Sequence, residues 1–404
     1  MDARSIGVTI SKFRKKCGLT QSQLAEKLNI SDKTVSRWEN GLGYPEVTQF
    51  PALAAIFGVT VDYLMSGERK GVTIAGSILT DIVKNIDYYP QSGMLANISE
   101  MSRSVGGCVP NTAINLAKID NSVPISVLGK IGDDEHGKFV VSEMRNVGID
   151  CSRISISADK PTSFTDVMSE PSGERTFFNS RGANVDFSPE DIDIASLNSK
   201  ILHIGYIMLL DTFDKEDKEY GTVMARFLCD AQNHGLKTSV DVISDDTADY
   251  KAKLSPALKY CNYAILNEFE SSKISDLDPY KENGDLDIDN IRKTMELMAE
   301  QGVKEKVIVH CKKAGFCLDV PTGNFTAVPS LKIPKEEIKG SVGAGDSFCA
   351  ASLYGIYMGM SDEELLEFAS AAAACNLFAA NSVDGMKPLK DIKAIANKYP
   401  RQKL

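Results

Sequence analysis

Residues 340–348 read Gly-Ser-Val-Gly-Ala-Gly-Asp-Ser-Phe, and an apolar run at helical spacing follows them. Glycines let a ligand approach the backbone closely, and the first N–H groups of a helix have no acceptor within that helix. The helix dipole adds a field that favours anions. Because Asp346 stands inside this turn, the stretch predicts an anion site with a carboxylate beside it, an arrangement suited to phosphoryl transfer onto a hydroxyl.

Outward from this stretch, short apolar runs alternate with helical patterns from residue 72 onward. Near-continuous apolar strands joined by helical segments are typical of a parallel sheet covered by helices, so the fold class is α/β. Two stretches, about residues 86–105 and 162–184, are polar and alternating instead, and we interpret them as a small β lid. The runs predicted as strands are 72–78, 124–128, 201–207, 238–242, 263–266 and 306–309.

A second compact pattern lies near the N-terminus, at residues 20–28 (TQSQLAEKL) and 31–41 (SDKTVSRWENG). Thr20 followed by Gln23 predicts a capping box at a helix start, and Ser31 predicts a second helix after a short turn. The second helix carries polar residues near its start, as a helix that enters the major groove of DNA requires.

This pattern resembles the helix-turn-helix family of phage repressors and Cro-like proteins over about residues 6–65. The resemblance implies an all-α DNA-binding domain, assigned to residues 1–68, with a double-stranded DNA operator as partner. The alternative is a helical protein-interaction module that does not touch DNA. The residues implied to contact DNA are Gln21, Lys33, Thr34, Ser36 and Arg37.

The glycine stretch itself resembles the signature D-T-x-G-A-G-D-x-F of the ribokinase, or phosphofructokinase-B, family, and the resemblance extends over about residues 71–398. It implies a ribokinase-like three-layer α/β/α body with a β lid, assigned to residues 71–404, and an ATP-dependent carbohydrate kinase. Asp346 would be the catalytic base, and the backbone of Gly343, Ala344 and Gly345 the anion hole. Gly340 stands where the family has an aspartate that helps build a monovalent-cation site, so the use of such a cation stays open.

Two further matches lie between these motifs. Residues 76–81 (GSILTD) and 106–113 (GGCVPNTA) resemble the family's substrate side, and residues 267–270 (NEFE) resemble its Mg²⁺-organising N-x-x-E pattern. Alternatively, these polar residues serve as strand-end, capping or turn residues. The implied sites are Asp81, Gly106, Gly107 and Asn111 for the sugar, joined by Asn184 from the second lid stretch, and Asn267 and Glu270 for the metal.

Composition limits the remaining possibilities. The net charge is −10, yet residues 1–70 carry +3 and the remainder −13, which indicates that nucleic acid meets the N-terminal part alone. No apolar run is long enough for a membrane helix, so no membrane partner is expected. The nine cysteines form no CxxC pair and indicate reduced thiols in the cytoplasm.

Two functions compete at this point. The first is an active sugar kinase that binds DNA and regulates its own pathway. The second is a transcription regulator whose kinase-like body mainly senses a sugar; a pure interaction protein is a weaker third. Exposed-looking apolar residues in the lid also predict a homodimer. They are Met94, Leu95, Ile98, Phe164, Val167, Phe177 and Phe178. The sequence leaves the sugar, the operator and any effect of ligand on DNA affinity open.

Overall fold

The computed structural model describes residues 2–172 and 174–404, apart from the side chain of Asp62. Contacts divide the chain into two compact units. The first comprises Met1–Gly71 with Asp193–Lys200, and the second comprises Val72–Ile192 with Ile201–Leu404. Within the described residues, no helix is long and apolar enough to cross a membrane.

The first unit is built from short helices, as the sequence predicts. Thr20 and Gln23 form the predicted capping box, and the Ser31 side chain accepts the Thr34 N–H, so both helix starts lie where their capping residues place them. Trp38 and Val35 face its apolar core. The helices are α1 (Ala3–Lys16), α2 (Gln21–Leu28), α3 (Asp32–Glu39), α4 (Phe50–Phe57) and α5 (Val61–Ser66).

The second unit carries the strands of a large sheet and of a lid. In chain order they are β1 (Val72–Ala75), β2 (Leu79–Ile86), β3 (Ile98–Gly106), β4 (Ile125–Gly132), β5 (Ile154–Ser157), β6 (Ser163–Ser169), β7 (Arg175–Ser180), β8 (Ile201–Ile207), β9 (Glu216–Asp217), β10 (Gly221–Thr222), β11 (Lys237–Val242), β12 (Tyr263–Asn267), β13 (Lys306–His310), β14 (Ala314–Asp319) and β15 (Asn324–Pro329).

The large sheet has nine strands in the order β15-β14-β13-β12-β11-β8-β1-β4-β5. The strands from β13 to β5 pair in parallel, whereas β14 and β15 pair antiparallel at one edge. Of the α-helices described in this unit, seven lie between strands and three follow the last strand, and their apolar faces supply much of the core. They are α6 (Cys108–Ile119), α7 (Glu135–Asn146), α8 (Val223–Asn233), α9 (Tyr250–Lys253), α10 (Ser255–Leu258), α11 (Glu268–Ser275), α12 (Ile288–Glu300), α13 (Ala344–Met358), α14 (Asp362–Asn376) and α15 (Leu389–Lys398).

The lid is a four-stranded sheet in the order β3-β2-β6-β7. It begins earlier than the expected residue 86, because β2 (Leu79–Ile86) belongs to it. The sequence predicts one strand over residues 72–78, whereas β1 ends at Ala75 and the buried residues Ile78 and Leu79 lie where the chain enters the lid. The chain therefore leaves the large sheet at Ala75 and enters the lid within four residues.

Candidate active site and nucleic-acid interface

A cavity of about 280 Å³ lies where four parallel strands end and α13 begins. Ligand sites of open α/β sheets lie at the carboxyl ends of the strands, and this cavity has that position. Its polar lining combines side chains from the ends of β8, β11, β12 and β13 with the glycine turn. These lining residues are Tyr206, Asp241, Ser244, Asn267, Glu270, His310, Gly343, Gly345 and Asp346.

Asp346 is the third residue of α13 and lies almost entirely buried beside the cavity. Its Oδ2 accepts a hydrogen bond from Asn111 Nδ2 at 3.0 Å, and its Oδ1 accepts one from the Tyr206 hydroxyl at 3.0 Å. Burial raises the pKa of Asp346 to about 7, and the charge of Asp241 acts in the same direction, while these two donors lower it. The carboxyl group is therefore poised to gain or lose a proton near neutral pH.

The turn before α13 has the geometry of an anion site. Gly343 has φ = +77°, and a Cβ there would lie 2.3 Å from Ser382 Cβ, so only glycine fits. In this structure the Ala344 N–H donates to Ser341 O at 3.3 Å. The anion-binding role expected of Ala344 stays a prediction.

Asn267 and Glu270 line the same cavity at the start of α11. They form a reciprocal capping box, in which each side chain accepts the other residue's backbone N–H. Glu270 Oε1 also accepts hydrogen bonds from Ser244 Oγ and Asn267 Nδ2, both at 2.8 Å. Burial raises the pKa of Glu270 to about 8. A cation beside this carboxylate would favour its ionised form, so the pair fits a metal as well as a cap.

Asp81 lies on β2 in the lid, and burial raises its pKa to about 6. Its charge also acts to raise the pKa of Asp346. The backbone of Gly106 lies against Asp81, and that of Gly107 lies against Ser77, and only glycine allows this. A Cβ on Gly106 would lie 2.5 Å from Asp81 Oδ2, and one on Gly107 would lie 2.5 Å from Ser77 O.

Two predicted sugar-binding amides are bound to the protein itself. Asn111 donates to Asp346, and its Oδ1 accepts the Ser382 hydroxyl at 2.7 Å. Asn184 accepts the Ile78 N–H at 3.1 Å and donates to Ser77 Oγ at 3.0 Å. Both therefore position neighbouring site residues in this state, a role that sequence patterns do not distinguish from substrate contact.

Tyr206 and Asp241 were missed by sequence reasoning. Tyr206 has φ = +61°, which is strained for a non-glycine residue, and its N–H donates to Asp241 Oδ1 at 2.6 Å. This bond helps to hold the phenol against Asp346. The available signal was position, because both residues lie at the carboxyl ends of apolar strands.

The DNA-contact candidates lie on α2 and α3 of the first unit. Lys33 and Arg37 are exposed, whereas Thr34 and Ser36 are half-buried. The Gln21 amide donates to Glu39 Oε2 at 2.8 Å, and Glu39 also pairs with buried Arg14. Gln21 therefore links α2 to α3 in this structure, while Arg14 links α1 to the same carboxylate, and the DNA contact of Gln21 stays a prediction.

Comparison with known proteins gives the family. Residues 70–387 match the model of pfkB family carbohydrate kinases. The chain belongs to this family. Residues 10–64 match a helix-turn-helix model, so the expected combination of a pfkB body and a helix-turn-helix domain is confirmed.

Relatives of the pfkB body include two 5-dehydro-2-deoxygluconokinases. That of Clostridium beijerinckii is 27% identical over 76% of this chain and 88% of its own, and that of Shouchella clausii is 25% identical over 73% and 86%. The ribokinase of Arabidopsis thaliana, solved with ribose and ATP, superposes with a TM-score of 0.68 at 22% identity, covering 81% of this chain and 99% of its own. The ribokinase-like fold is thus confirmed.

The raised pKa of Asp346 has a consequence for stability. A carboxyl group whose pKa is higher in the folded chain binds more protons when folded, so stability falls as pH rises from about 4 towards 7. We expect Asp346→Asn to stabilise the protein at pH 8 by on the order of 2–4 kcal/mol, and to have little effect at pH 4. Urea unfolding at both pH values measures this. The exposed change Asp289→Asn is the control, and equal effects of Asp346→Asn at both pH values would contradict the expectation.

Proposed function

We propose that this pfkB kinase transfers the γ-phosphoryl group of ATP to a hydroxyl of a sugar acid, with Asp346 as general base. The observation that carries the proposal is the Asp346 carboxyl group, buried at the first turn of α13 in one cavity with Gly343, Gly345, Asn267 and Glu270. A proton acceptor and helix N–H groups thus lie side by side, as transfer to a hydroxyl requires.

In this proposal the ionised Asp346 accepts the proton of the attacking sugar hydroxyl. Asn111 and Tyr206 orient its two oxygens, and their hydrogen bonds keep enough carboxylate present near pH 7. The Gly343–Gly345 turn holds phosphate oxygens through backbone N–H groups and the dipole of α13. Asp81, on the lid side, holds a further hydroxyl of the sugar.

Mg²⁺ is the proposed cofactor. Bound to ATP, it would neutralise charge on the transferring phosphoryl group. Asn267 and Glu270 are the residues that would organise it, since a buried carboxylate and an amide oxygen with water suit this ion. With the cation present, Glu270 would be held ionised despite its burial.

A sugar acid is the proposed substrate class for two reasons. Several relatives are 5-dehydro-2-deoxygluconokinases, whose names specify an acid. In this chain, the charge of Arg175, on β7 of the lid, acts to lower the pKa of Asp81. A guanidinium on the lid sheet suits a carboxylate of the substrate.

The kinase proposal is tested with a coupled assay on wild type and Asp346→Asn. With ATP and Mg²⁺, we expect phosphorylation of 5-dehydro-2-deoxygluconate or a related acid in preference to ribose, fructose and nucleosides. Asp346→Asn should lower turnover by about 10²–10⁴-fold, because the base is lost. A variant that keeps half of wild-type turnover would disprove the role of Asp346. Wild-type inactivity on every sugar, with sugar binding retained, would favour the alternative of a sugar sensor.

We further propose that the helix-turn-helix unit binds a double-stranded DNA operator and regulates the pathway of its own kinase. The exposed side chains of Lys33 and Arg37 on α3, with Thr34 and Ser36 beside them, support this contact surface.

Together with ATP use and nine free thiols, DNA binding favours the cytoplasm as the site of action.

Arg37→Ala tests the recognition surface. Loss of one good base contact costs about 1–3 kcal/mol, so operator affinity should fall by roughly 5- to 150-fold while sugar phosphorylation is unchanged. The measurement is a gel shift at fixed salt with duplexes selected from a random pool. Arg292→Ala, an exposed arginine of α12, is the control. Equal affinity of wild type and Arg37→Ala would disprove the assigned surface.

A homodimer through the lid is the proposed assembly. β3 and β7 are the edges of the lid sheet, and apolar side chains are exposed beside them, including Leu95, Met101 and Phe177. Phe164 and Val167, which the sequence also suggested as exposed, are half-buried and buried. Pairing two lids would cover the exposed side chains and bring two DNA-binding units to one operator.

Sedimentation equilibrium at micromolar concentration tests the assembly. We expect a species of twice 43.9 kDa for wild type and dissociation in Met101→Glu, because the charge would be buried in the interface. Glu100→Gln, a neighbouring exposed change, is the control. A wild type that sediments as a stable monomer would exclude the dimer.

Operator affinity measured with and without saturating substrate tests whether ligand shifts DNA binding.

A further inference from the structure

The resemblance to ribokinases implies a monovalent-cation site beside the glycine turn, and this chain differs from the family at position 340 of that turn. In those kinases an aspartate at the first position of the signature helps to build the site. Gly340 occupies that position here and supplies no carboxylate. A Cβ on Gly340 would lie 3.0 Å from Ala379 O and 3.3 Å from Ala380 O, so a side chain there would need the facing backbone to move by a few tenths of an ångström.

Three carbonyl groups around this loop have N–H donors. Asn376, fully buried at the end of α14, donates from Nδ2 to Val342 O at 2.6 Å. Asn115, fully buried on α6, donates to Ser382 O at 3.1 Å. Leu377 O accepts the Lys339 N–H at 2.8 Å. These three oxygens are thus bound to neutral donors.

The orientation of the Asn376 amide follows from its partner. Val342 O can only accept a hydrogen bond, so the group 2.6 Å from it must be the amide nitrogen. The other amide atom, Oδ1, is buried without a hydrogen-bond partner among the described residues. Burying an acceptor without a donor lowers the free energy of unfolding, so the hydrogen bond from Asn376 to Val342 O is kept at a cost in stability.

We propose that the Asn376 amide takes the place of a monovalent cation, so that this kinase works at full rate without K⁺. A cation at such a site would be held by oxygen atoms beside the anion-binding turn. Here Asn376 joins α14 to Val342, the residue that precedes Gly343. An amide N–H performs the same electrostatic task as a cation, by placing positive partial charge against the carbonyl, and it needs no carboxylate at position 340.

The test compares salts at constant ionic strength. Wild-type turnover in KCl and in tetramethylammonium chloride should agree within about 1.5-fold, whereas activation by K⁺ of fivefold or more would overturn the proposal. The Asn376→Asp variant replaces the amide nitrogen with oxygen and so recreates a site of oxygens alone. We expect it to lose most activity in tetramethylammonium chloride and to recover at least tenfold in KCl. An Asn376→Asp variant that is fully active in both salts would also overturn the proposal.

Asn397→Asp is the matched control, because its amide also donates to a backbone carbonyl, Lys393 O, but on the exposed face of α15. It should remain active and insensitive to the salt. The inference rests on the proposed kinase function, so thermal unfolding provides a second measurement that needs no substrate. K⁺ should leave the wild-type midpoint unchanged and raise that of Asn376→Asp. Stabilisation of wild type by K⁺ would overturn the proposal even if no sugar were phosphorylated.

Discussion

The hydrogen bond between Asn111 and Asp346 joins the two halves of the candidate active site. The residues are far apart in the chain, one on α6 after the first lid strands and the other on α13. Both side chains are buried, so the bond forms in surroundings where an unpaired carboxylate would be costly. It holds α6 against the first turn of α13, and the Ser382 hydroxyl donates to Asn111 Oδ1, the other atom of the same amide.

Charge in this centre is balanced by protein groups only in part. Asp346, Glu270 and Asp81 all have raised pKa values because each is buried. Three such carboxyl groups near one cavity cost folding stability, and a metal ion, phosphate-bound cation or sugar hydroxyl would relieve that cost. The pattern is that of a site in which function is favoured at the expense of stability.

The same turn keeps most of the family signature but differs at its first position. Gly343 and Asp346 retain the anion-site geometry, whereas Gly340 gives up the carboxylate and Asn376 supplies an amide to the neighbouring carbonyl. In this structure the Val342 carbonyl has the Asn376 amide as its hydrogen-bond partner. Loop motifs are therefore best interpreted together with the helices that pack behind them.

The sequence by itself determined the fold class, the two kinds of domain, the helix starts at Thr20 and Ser31, and the place of Asp346 at a helix N-terminus. Those features depend on local capping, glycine conformations and hydrophobic period, which are properties of neighbouring residues. Only the tertiary structure decided that Asn111 and Asn184 bind the protein itself, that Glu39 takes the Gln21 amide, and that Tyr206 and Asp241 flank Asp346. These outcomes depend on which donors and acceptors meet across strands and helices distant in the chain, and a linear pattern does not encode those distances.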